Sequence, residues 1–377
     1  MDIFVFGPLA DPATYQAVTG NLLEGRRARL EGHALRGAPD DVPGLVAQPG
    51  GVVEGIVVAP PEGWAARRLA AYNSALGAAP RMAGVSPAQG PACEVMLHAT
   101  TPEQDAPEWD AATWRAGAAA RWAVMAGEIA DHQPALDPAS FGRQRGMIAA
   151  RAEARRRAAA EPAPAELRHP ARPNDSEWRE VAPPAGQFFR LSQMRLSHRR
   201  FDGGRAEDLP REVLVGVDAA LVLPYDPRRD RLLMVEQFRS GPARRGAANP
   251  WCLEPVAGIV DAGESPAEAA LRETREEAGL TLGADRLIPI FAGYPSPGSS
   301  TDYFHCFLAL ADLPQDEGWH GGLEEEHEDL RLHVVGFDRT MALAATGEID
   351  VLPMLAMLHW LAQNRARLRA EAGMRDA

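Results

Sequence analysis

The chain has 377 residues, of which 46% are hydrophobic and 24% are charged, proportions that are ordinary for globular proteins. This length is sufficient for two or three domains with their own hydrophobic cores. The formal net charge of −13 argues against a surface that binds nucleic acid or anionic membranes. We therefore expect neither nucleic acid nor a membrane as a partner.

The cysteines and the N-terminal residues indicate the compartment. Cys93, Cys252 and Cys306 are odd in number and form no CxxC pair or zinc pattern, which suits a reducing environment. The N-terminus, MDIFVFGPLADP, lacks the basic region of a signal peptide, and no segment approaches the roughly eighteen apolar residues of a membrane-spanning helix. These features predict a cytoplasmic protein.

Two zones precede the C-terminal half. The first, residues 1–105, predicts a small β-rich domain with strands DIFVFG, GVVEGIVVA and CEVMLHA and a helix over about 62–75. The second, 106–182, is rich in alanine and arginine and predicts a helical spacer that ends in a proline-rich linker. Three tryptophans at about helical spacing are expected to pack this spacer against a neighbouring domain: Trp109, Trp114 and Trp122.

The third zone, 183–377, alternates strand-like and helix-like runs and predicts a complete α/β domain. Its predicted strands are AALVLPY, RLLMVEQF, LIPIFAGY, YFHCFLALA and RLHVVGF. Its predicted helices cover about 266–278, 338–346 and 351–368.

The segment GIVDAGESPAEAALRETREEAGL contains the most informative charges of the chain. Ser265, Pro266 and Glu268 predict the start of a helix with a capping box, and Gly279 predicts its end. Three glutamates spaced by three and four residues share one face of this helix, Glu264 precedes them, and Arg272 can hold the carboxylates from behind. These three glutamates are Glu273, Glu276 and Glu277. Clustered carboxylates of this kind predict a site for Mg²⁺, with Mn²⁺ as an alternative ion.

The same segment resembles the Nudix box, which reads Gly, five residues, Glu, seven residues, Arg-Glu, an aliphatic position, any residue, Glu-Glu, any residue, Gly and an aliphatic position. The one departure is Thr274 at the first aliphatic position, where a half-apolar side chain can pack similarly. The matching residues are Gly258, Glu264, Arg272, Glu273, Glu276, Glu277, Gly279 and Leu280. The resemblance implies hydrolysis of a nucleoside diphosphate linked to another group.

From about Phe188 to about Trp360 the chain is similar to the ADP-ribose pyrophosphatase branch, through segments such as MVEQFR, WCLEPVAG, YPSPGSSTD and EEEHEDLRLHVV. The resemblance implies that Phe188 stacks on adenine, that Arg211 contacts the substrate from a swapped dimer partner, and that Arg239 binds the diphosphate. Glu254 also falls among the implied substrate-binding residues. Asp302 stands where the family usually has glutamate, so its side chain is one methylene shorter.

The resemblance also implies the catalytic and metal-binding set. The carbonyl of Ala257 would join Glu273 and Glu277 as metal ligands, and Glu276 would act with them both as a ligand and in catalysis, supported by Arg272. In EEEHED, Glu326 aligns with the general base and Glu328 with a further metal ligand. The implied products from ADP-ribose are AMP and ribose 5-phosphate.

Residues 1–100 resemble gamma-glutamylcyclotransferase-like domains through FVFGPL, LEGHALRG, LAAYN and PRM. Ala70 and Asn73 replace the carboxylates that this chemistry needs, and Asn cannot carry the proton. Pro8 also removes a backbone N–H from the loop that would hold the substrate. The resemblance therefore implies a binding or interface domain without cyclotransferase activity.

Together these resemblances imply an α/β (α+β) protein with a C-terminal Nudix α/β/α sandwich on a mixed sheet. A small β-barrel-like domain and the helical spacer precede it, and the Nudix domain is expected to form a homodimer. A GDP- or UDP-linked sugar is the alternative substrate, and an ADP-ribose sensor with little turnover is the alternative class of protein. This two-domain arrangement also resembles a tellurite-resistance-associated group, although the residues offer no tellurium chemistry.

Overall fold

A computed structural model describes residues 1–314, 320–322 and 328–374 of the chain. The chain divides into two compact units, Met1–Leu214 and Val215–Ala377. Among the described residues, no helix is both long and apolar enough to cross a membrane.

The first unit contains a closed five-stranded barrel in the order β1-β3-β2-β4-β5. The parallel contact of β1 with β5 closes it, whereas β1 and β3 are antiparallel. Alternate residues of these strands face inward, so the barrel interior is filled with Ala, Val and Leu side chains together with Phe4. The strands are β1 (Ile3–Phe6), β2 (Arg26–Arg36), β3 (Gly44–Val58), β4 (Ala79–Pro87) and β5 (Cys93–Ala99).

Five helices pack beside the barrel around a second core. Trp114 and Trp122 are almost wholly buried, and Trp109 lies beside them with Val18, Leu69 and other apolar residues. The tryptophans therefore pack the 106–160 region onto the helices of residues 12–75, as their spacing predicts. The helices are α1 (Pro12–Thr19), α2 (Gly63–Ala75), α3 (Ala111–Gly117), α4 (Ala119–Asp131) and α5 (Pro138–Ala160).

A separate three-stranded sheet follows in the order β6-β7-β8. Its strands are β6 (Ser176–Glu180), β7 (Arg190–Arg199) and β8 (Arg205–Val215), the last residue of which begins the second unit.

The second unit is built on a mixed sheet in the order β13-β14-β9-β10-β16-β15, with β11 paired to β10 and β12 to β9. Strands β14 and β9 are parallel, and the other pairs are antiparallel. The strands are β9 (Asp218–Asp226), β10 (Arg231–Phe238), β11 (Trp251–Glu254), β12 (Val256–Ile259), β13 (Leu287–Gly293), β14 (Tyr303–Leu310), β15 (His320–Gly321) and β16 (Leu330–Gly336).

Helices cover both faces of this sheet. Helix α7 (Pro266–Ala278) packs on one face through Ala269 and Ala270, while α8 (Phe337–Thr346) and α9 (Leu352–Met374) pack on the other. A short helix, α6 (Ser240–Arg245), follows β10. The expected fold class, a barrel-like first domain and a helix–sheet–helix sandwich with a mixed sheet, is confirmed. Helix α9 extends six residues beyond its predicted end, and its buried apolar residues between Met354 and Leu368 pack in the core on this face of the sheet.

Candidate active site

Helix α7 has the termini that its sequence predicts. The Ser265 hydroxyl accepts a hydrogen bond from the Glu268 N–H at 3.2 Å, and the Glu268 carboxylate accepts one from the Ser265 N–H at 2.7 Å. Gly279 ends the helix in the left-handed conformation, with φ at 68°. The predicted capping box and helix bounds are therefore confirmed. The two ends hold the helix in one orientation about its axis, which determines where its glutamate side chains point.

Gly258, on β12, makes room for the first of these glutamates. A Cβ atom at this position would lie 1.9 Å from the carboxyl carbon of Glu273, a distance at which the carboxylate could not stay where it is. Strand β12 pairs with the central strand β9, with Gly258 opposite Ala220. The sheet backbone and the α7 carboxylate therefore approach closely at one point.

Arg272 joins the acidic residues into one network. Its Nη2 donates to Glu264 at 2.7 Å, and its Nη1 donates to Glu273 at 2.6 Å and to Glu276 at 3.2 Å. Nη2 also donates to the carbonyl of Ile259 at 2.9 Å, which ties the helix to the end of β12. The Glu264 hydrogen bond is the largest of the interactions that raise the pKa of Arg272, so the guanidinium remains charged.

Glu277 is the most deeply buried carboxylate of the cluster, with 5% of its surface exposed. Burial, followed by the negative charge of Glu328 and then of Glu273, raises its pKa to about 8, although Arg239 and a hydrogen bond oppose the shift. That hydrogen bond comes from the Ala257 N–H, which donates to Oε2 at 3.2 Å. Glu328 and Glu273 are therefore each close enough to Glu277 to disfavour its ionised form.

These residues fit a divalent cation by their chemistry. Carboxylates that repel one another across a water-poor site are the oxygen donors that Mg²⁺ and Mn²⁺ prefer. Within the described ranges 1–314, 320–322 and 328–374, no three acidic, histidine or cysteine side chains already surround a common point. Two of the carboxylates, Glu273 and Glu276, instead face Arg272.

Arg239 and Glu254 also lie together in the second unit. The Nε atom of Arg239, just after β10, donates to Oε2 of Glu254 on β11 at 2.6 Å. Because Arg239 also lowers the pKa of Glu277, it faces the same region as α7. The guanidinium is partly exposed, and among the described residues only Glu254 pairs with its side-chain donors.

Asp302 has a structural environment that the sequence did not indicate. Its Oδ1 accepts from the Val217 N–H at 3.3 Å, and its Oδ2 accepts from the Ser300 hydroxyl. A Cβ at Gly216 would lie 1.6 Å from Oδ1. The carboxylate therefore rests on the backbone that leads into β9, and part of its hydrogen-bonding capacity is already used.

The remaining predicted site residues are not among the described residues of the second unit. Phe188 and Arg211 belong to the first unit, where the Phe188 carbonyl accepts from Arg151 at 2.7 Å and Arg211 donates to the Pro210 carbonyl at 2.8 Å. The predicted general base, Glu326, lies outside the described residues.

Gly321 is a supporting residue that the sequence analysis missed. A Cβ there would lie 2.0 Å from the backbone carbonyl of Glu277, so β15 passes directly against the end of α7. The two glycines of WHGGL were the only sequence signal of this close approach.

Comparison with known proteins places these features in a family. The NUDIX domain model matches residues 216–355, which include the whole carboxylate cluster. An ADP-ribose pyrophosphatase of Haemophilus influenzae is 37% identical over 184 residues, or 48% of this chain and 83% of the relative. A GDP-mannose pyrophosphatase of Escherichia coli is 29% identical over 174 residues, or 46% of this chain and 88% of the relative.

A solved structure described as an ADP compounds hydrolase is 21% identical and has a TM-score of 0.40, covering 51% of this chain and 94% of that one. The family rests on the sequence relatives, because this chain covers 83% of a pyrophosphatase with which it is 37% identical, and the span of the NUDIX domain model includes the capped helix, Gly258 and the glutamates bound to Arg272. This chain therefore belongs to the Nudix family and is a Nudix pyrophosphohydrolase, with its NUDIX domain at residues 216–355.

Proposed function

We propose that this protein hydrolyses the pyrophosphate bond of ADP-ribose to AMP and ribose 5-phosphate, with Mg²⁺ as the cofactor. The relative with 37% identity carries the name ADP-ribose pyrophosphatase, whereas the GDP-mannose pyrophosphatase is 29% identical. Nudix hydrolases generally need a divalent metal. The observation that carries the proposal is the buried Glu277 carboxylate, whose pKa is raised by burial and by the negative charges of Glu328 and Glu273 and lowered by the positive charge of Arg239.

The cation would be held by Glu273, Glu276, Glu277 and Glu328 together with the carbonyl of Ala257. When bound, it supplies positive charge that stabilises the negative charge developing on the phosphate oxygens. Mn²⁺ would use the same oxygen donors.

The protein's own groups would orient the reaction. Arg272 holds Glu264, Glu273 and Glu276 on one side of the site, which limits the reorganisation that these carboxylates need when substrate arrives. Arg239 presents a forked guanidinium suited to the diphosphate, and Glu254 fixes its direction. Glu326 would accept the proton of the attacking water.

Further substrate contacts are proposed from the family resemblance. Phe188 would stack on adenine, Arg211 would reach the substrate from a second copy of the chain, and Asp302 would contact the ribose or a phosphate. These roles imply a homodimer formed through the Nudix domain. Since the Asp302 carboxylate already accepts two hydrogen bonds, we expect its contact with substrate to be the weakest of the three.

The domain division 1–105, 106–182 and 183–377, the cytoplasmic location and the link to tellurite resistance remain predictions. The gamma-glutamylcyclotransferase-like character of the first domain also belongs to this proposal, with Ala70 and Asn73 on α2 accounting for the absence of that activity. Release of product from gamma-glutamyl amino acids would contradict this part of the proposal.

The test is hydrolysis of ADP-ribose, NADH, GDP-mannose, UDP-glucose and ADP-glucose with Mg²⁺, followed by phosphate release in a coupled assay. We expect ADP-ribose to give the highest kcat/KM. In Glu277→Gln, we expect kcat to fall by more than about a hundredfold. This loss is larger than the roughly 10–100-fold loss that is typical when a residue that only orients a metal ligand is replaced. Glu348→Gln is the matched control, because Glu348 is exposed in the same unit.

Two results would change the proposal. A higher kcat/KM for GDP-mannose or a UDP-sugar would replace the substrate but keep the chemistry. Tight ADP-ribose binding without turnover of any substrate would favour the sensor alternative, and a calorimetric titration distinguishes this case from failure to bind.

A further inference from the structure

Phe188 and Phe189 form an exposed aromatic pair on a loop of the first unit. Their rings meet edge to face, with the ring centres 4.8 Å apart. Two large apolar side chains that are exposed side by side are typical of a contact surface. The face of such a ring can stack on a nucleobase, because every base has a flat aromatic face of its own.

The loop that carries these rings is closed at its base. The backbone groups of Ala185 and Leu191 exchange two hydrogen bonds, at 3.0 and 2.7 Å. Within the loop, Gly186 has a φ of 115°, and a Cβ there would lie 2.1 Å from the carbonyl oxygen of Phe189. The loop is therefore a tight turn of the backbone and not an extended segment.

Two buried arginines attach this loop to helices α4 and α5. Arg151 on α5 donates from Nη1 to the Phe188 carbonyl at 2.7 Å, and Arg190 on β7 donates from Nη2 to the Pro184 carbonyl. Both arginines also donate to Glu128 on α4, Arg151 through Nε and Nη2 and Arg190 through Nη1. The backbone of the residue that carries the first ring is therefore bound directly to the helical region.

Stability alone does not account for this charged network. Both arginine side chains are almost wholly buried, and the Nε of Arg190 is a buried donor without a partner among the described residues. An unpaired buried donor opposes folding, and apolar side chains of similar volume often stabilise a protein at least as well as buried ion pairs. What an apolar core could not provide is the directional hydrogen bond from Arg151 to the Phe188 carbonyl.

We propose that Arg151 is a positioning residue for the adenine of the substrate, acting through Phe188. By holding the Phe188 carbonyl, it keeps the ring in place before substrate arrives, so less conformational entropy is lost on binding. Glu128 orients the guanidinium that makes this contact. The inference rests on the proposed adenine contact of Phe188, and it gives the helices of the first unit a role in substrate binding.

The test measures the binding of AMP and of ribose 5-phosphate to the full chain by ligand-observed NMR titration with Mg²⁺. Ribose 5-phosphate has a hydroxyl in place of adenine, so the ratio of the two Kd values isolates the contribution of the base. In Phe188→Ala we expect the Kd of AMP to rise by at least about fivefold, the lower limit for a stacked base. In Arg151→Met we expect a rise of at least about threefold, because part of the stacking is lost. The Kd of ribose 5-phosphate should stay unchanged in both variants.

A double-variant cycle shows whether Arg151 acts through Phe188. Because the ring is absent from Phe188→Ala, adding Arg151→Met should weaken AMP binding no further. Arg143→Met is the matched control and should bind AMP like wild type, since Arg143 is an exposed residue of α5 that donates only to Ser140 among the described residues. If Arg151→Met loses the wild-type circular dichroism spectrum, Arg151→Lys takes its place. Lysine keeps the charge beside Glu128 but cannot hold Glu128 and the Phe188 carbonyl together.

The outcomes separate this inference from the proposed function. Wild-type AMP binding in a folded Arg151 variant, equal weakening of both probes, or a further loss in the double variant would overturn the positioning role. If Phe188→Ala also binds AMP like wild type, the proposed adenine contact fails as well. If Phe188→Ala weakens AMP binding and the Arg151 variant does not, the adenine contact stands without the positioning role. The titration needs no turnover, so a loss of hydrolysis cannot be mistaken for a loss of binding.

Discussion

The Cβ that Gly258 lacks would stand 1.9 Å from the carboxyl carbon of Glu273. The first glycine of the box is therefore tied to the position of a proposed metal ligand rather than to a turn. The backbone of Gly258 belongs to a regular antiparallel pairing with β9. A shift of the strand to make room for a larger side chain would therefore break this pairing.

The first prediction is that Gly258→Ala displaces the Glu273 carboxylate and lowers ADP-ribose hydrolysis. We expect kcat/KM to fall by roughly 10–100-fold, the loss typical of disturbed ligand support, with a higher Mg²⁺ requirement. Gly293→Ala is the control, because this strand glycine has open space around its Cβ position. Equal activity of the two variants would show that Glu273 has room to move.

The second prediction concerns the forked guanidinium of Arg272. Arg272→Lys keeps the charge but cannot reach Glu264, Glu273 and the Ile259 carbonyl together. We expect the Mg²⁺ concentration for half-maximal activity to rise by about tenfold or more. Arg275→Lys is the control, since Arg275 is more exposed and contacts only Glu276 among the described residues. A shift of the same size in both variants would mean that charge alone supports the cluster.

Sequence predicted the local features of this site because they depend on near neighbours in the chain. The cap of α7 requires only Ser265, Pro266 and Glu268, and the spacing of its glutamates fixes which face they share. The same holds for strand β10, an apolar run whose predicted bounds, 231–238, match the structure.

The features that sequence did not predict depend on distant contacts. Strand β2 is rich in arginine and has no continuous apolar run, yet Ala28 and Leu30 point into the barrel. Nothing local to Asp302 in the sequence revealed that Gly216 would lie beside its carboxylate. A pocket of the first unit, lined by residues of β1, α2 and β5, likewise depends on contacts between distant segments.

The third prediction is that the Asp230–Arg365 pair contributes to the free energy of unfolding in a pH-dependent way. This pair connects the β9–β10 turn to α9. Burial opposes ionisation of Asp230, but hydrogen bonds from Arg365 and Tyr225 outweigh it and lower its pKa. Because the pKa of Asp230 is lower in the folded chain than its unfolded value of 3.8, ionised Asp230 stabilises the fold at pH values above 3.8. This stabilisation is lost as the pH falls through the folded pKa.

We therefore expect Arg365→Met to lower the free energy of unfolding by roughly 1–3 kcal/mol at pH 7. Urea unfolding at a series of pH values should show the difference from wild type shrinking below pH 4 or thereabouts. Arg367→Met is the control, because Arg367 is an exposed residue of the same helix and, among the described residues, pairs with Glu371 and Asn364 of that helix only. A difference that stays constant with pH would assign the loss to packing of the Arg365 side chain.

The fourth prediction concerns Glu128 on α4, the shared partner of two buried arginines in the first unit. Its Oε1 accepts from Arg151 at 2.6 Å and from Arg190 at 3.1 Å, and both arginine side chains are 3% exposed. Arg190 already has a buried Nε without a described partner. Glu128→Gln would leave two buried cations facing a neutral amide, which we expect to cost about 3–5 kcal/mol of stability.

Thermal and urea unfolding would measure this loss, with the exposed substitution Glu166→Gln as the control. If water reaches the arginines and screens them, Glu128→Gln will instead unfold with the same free energy as wild type.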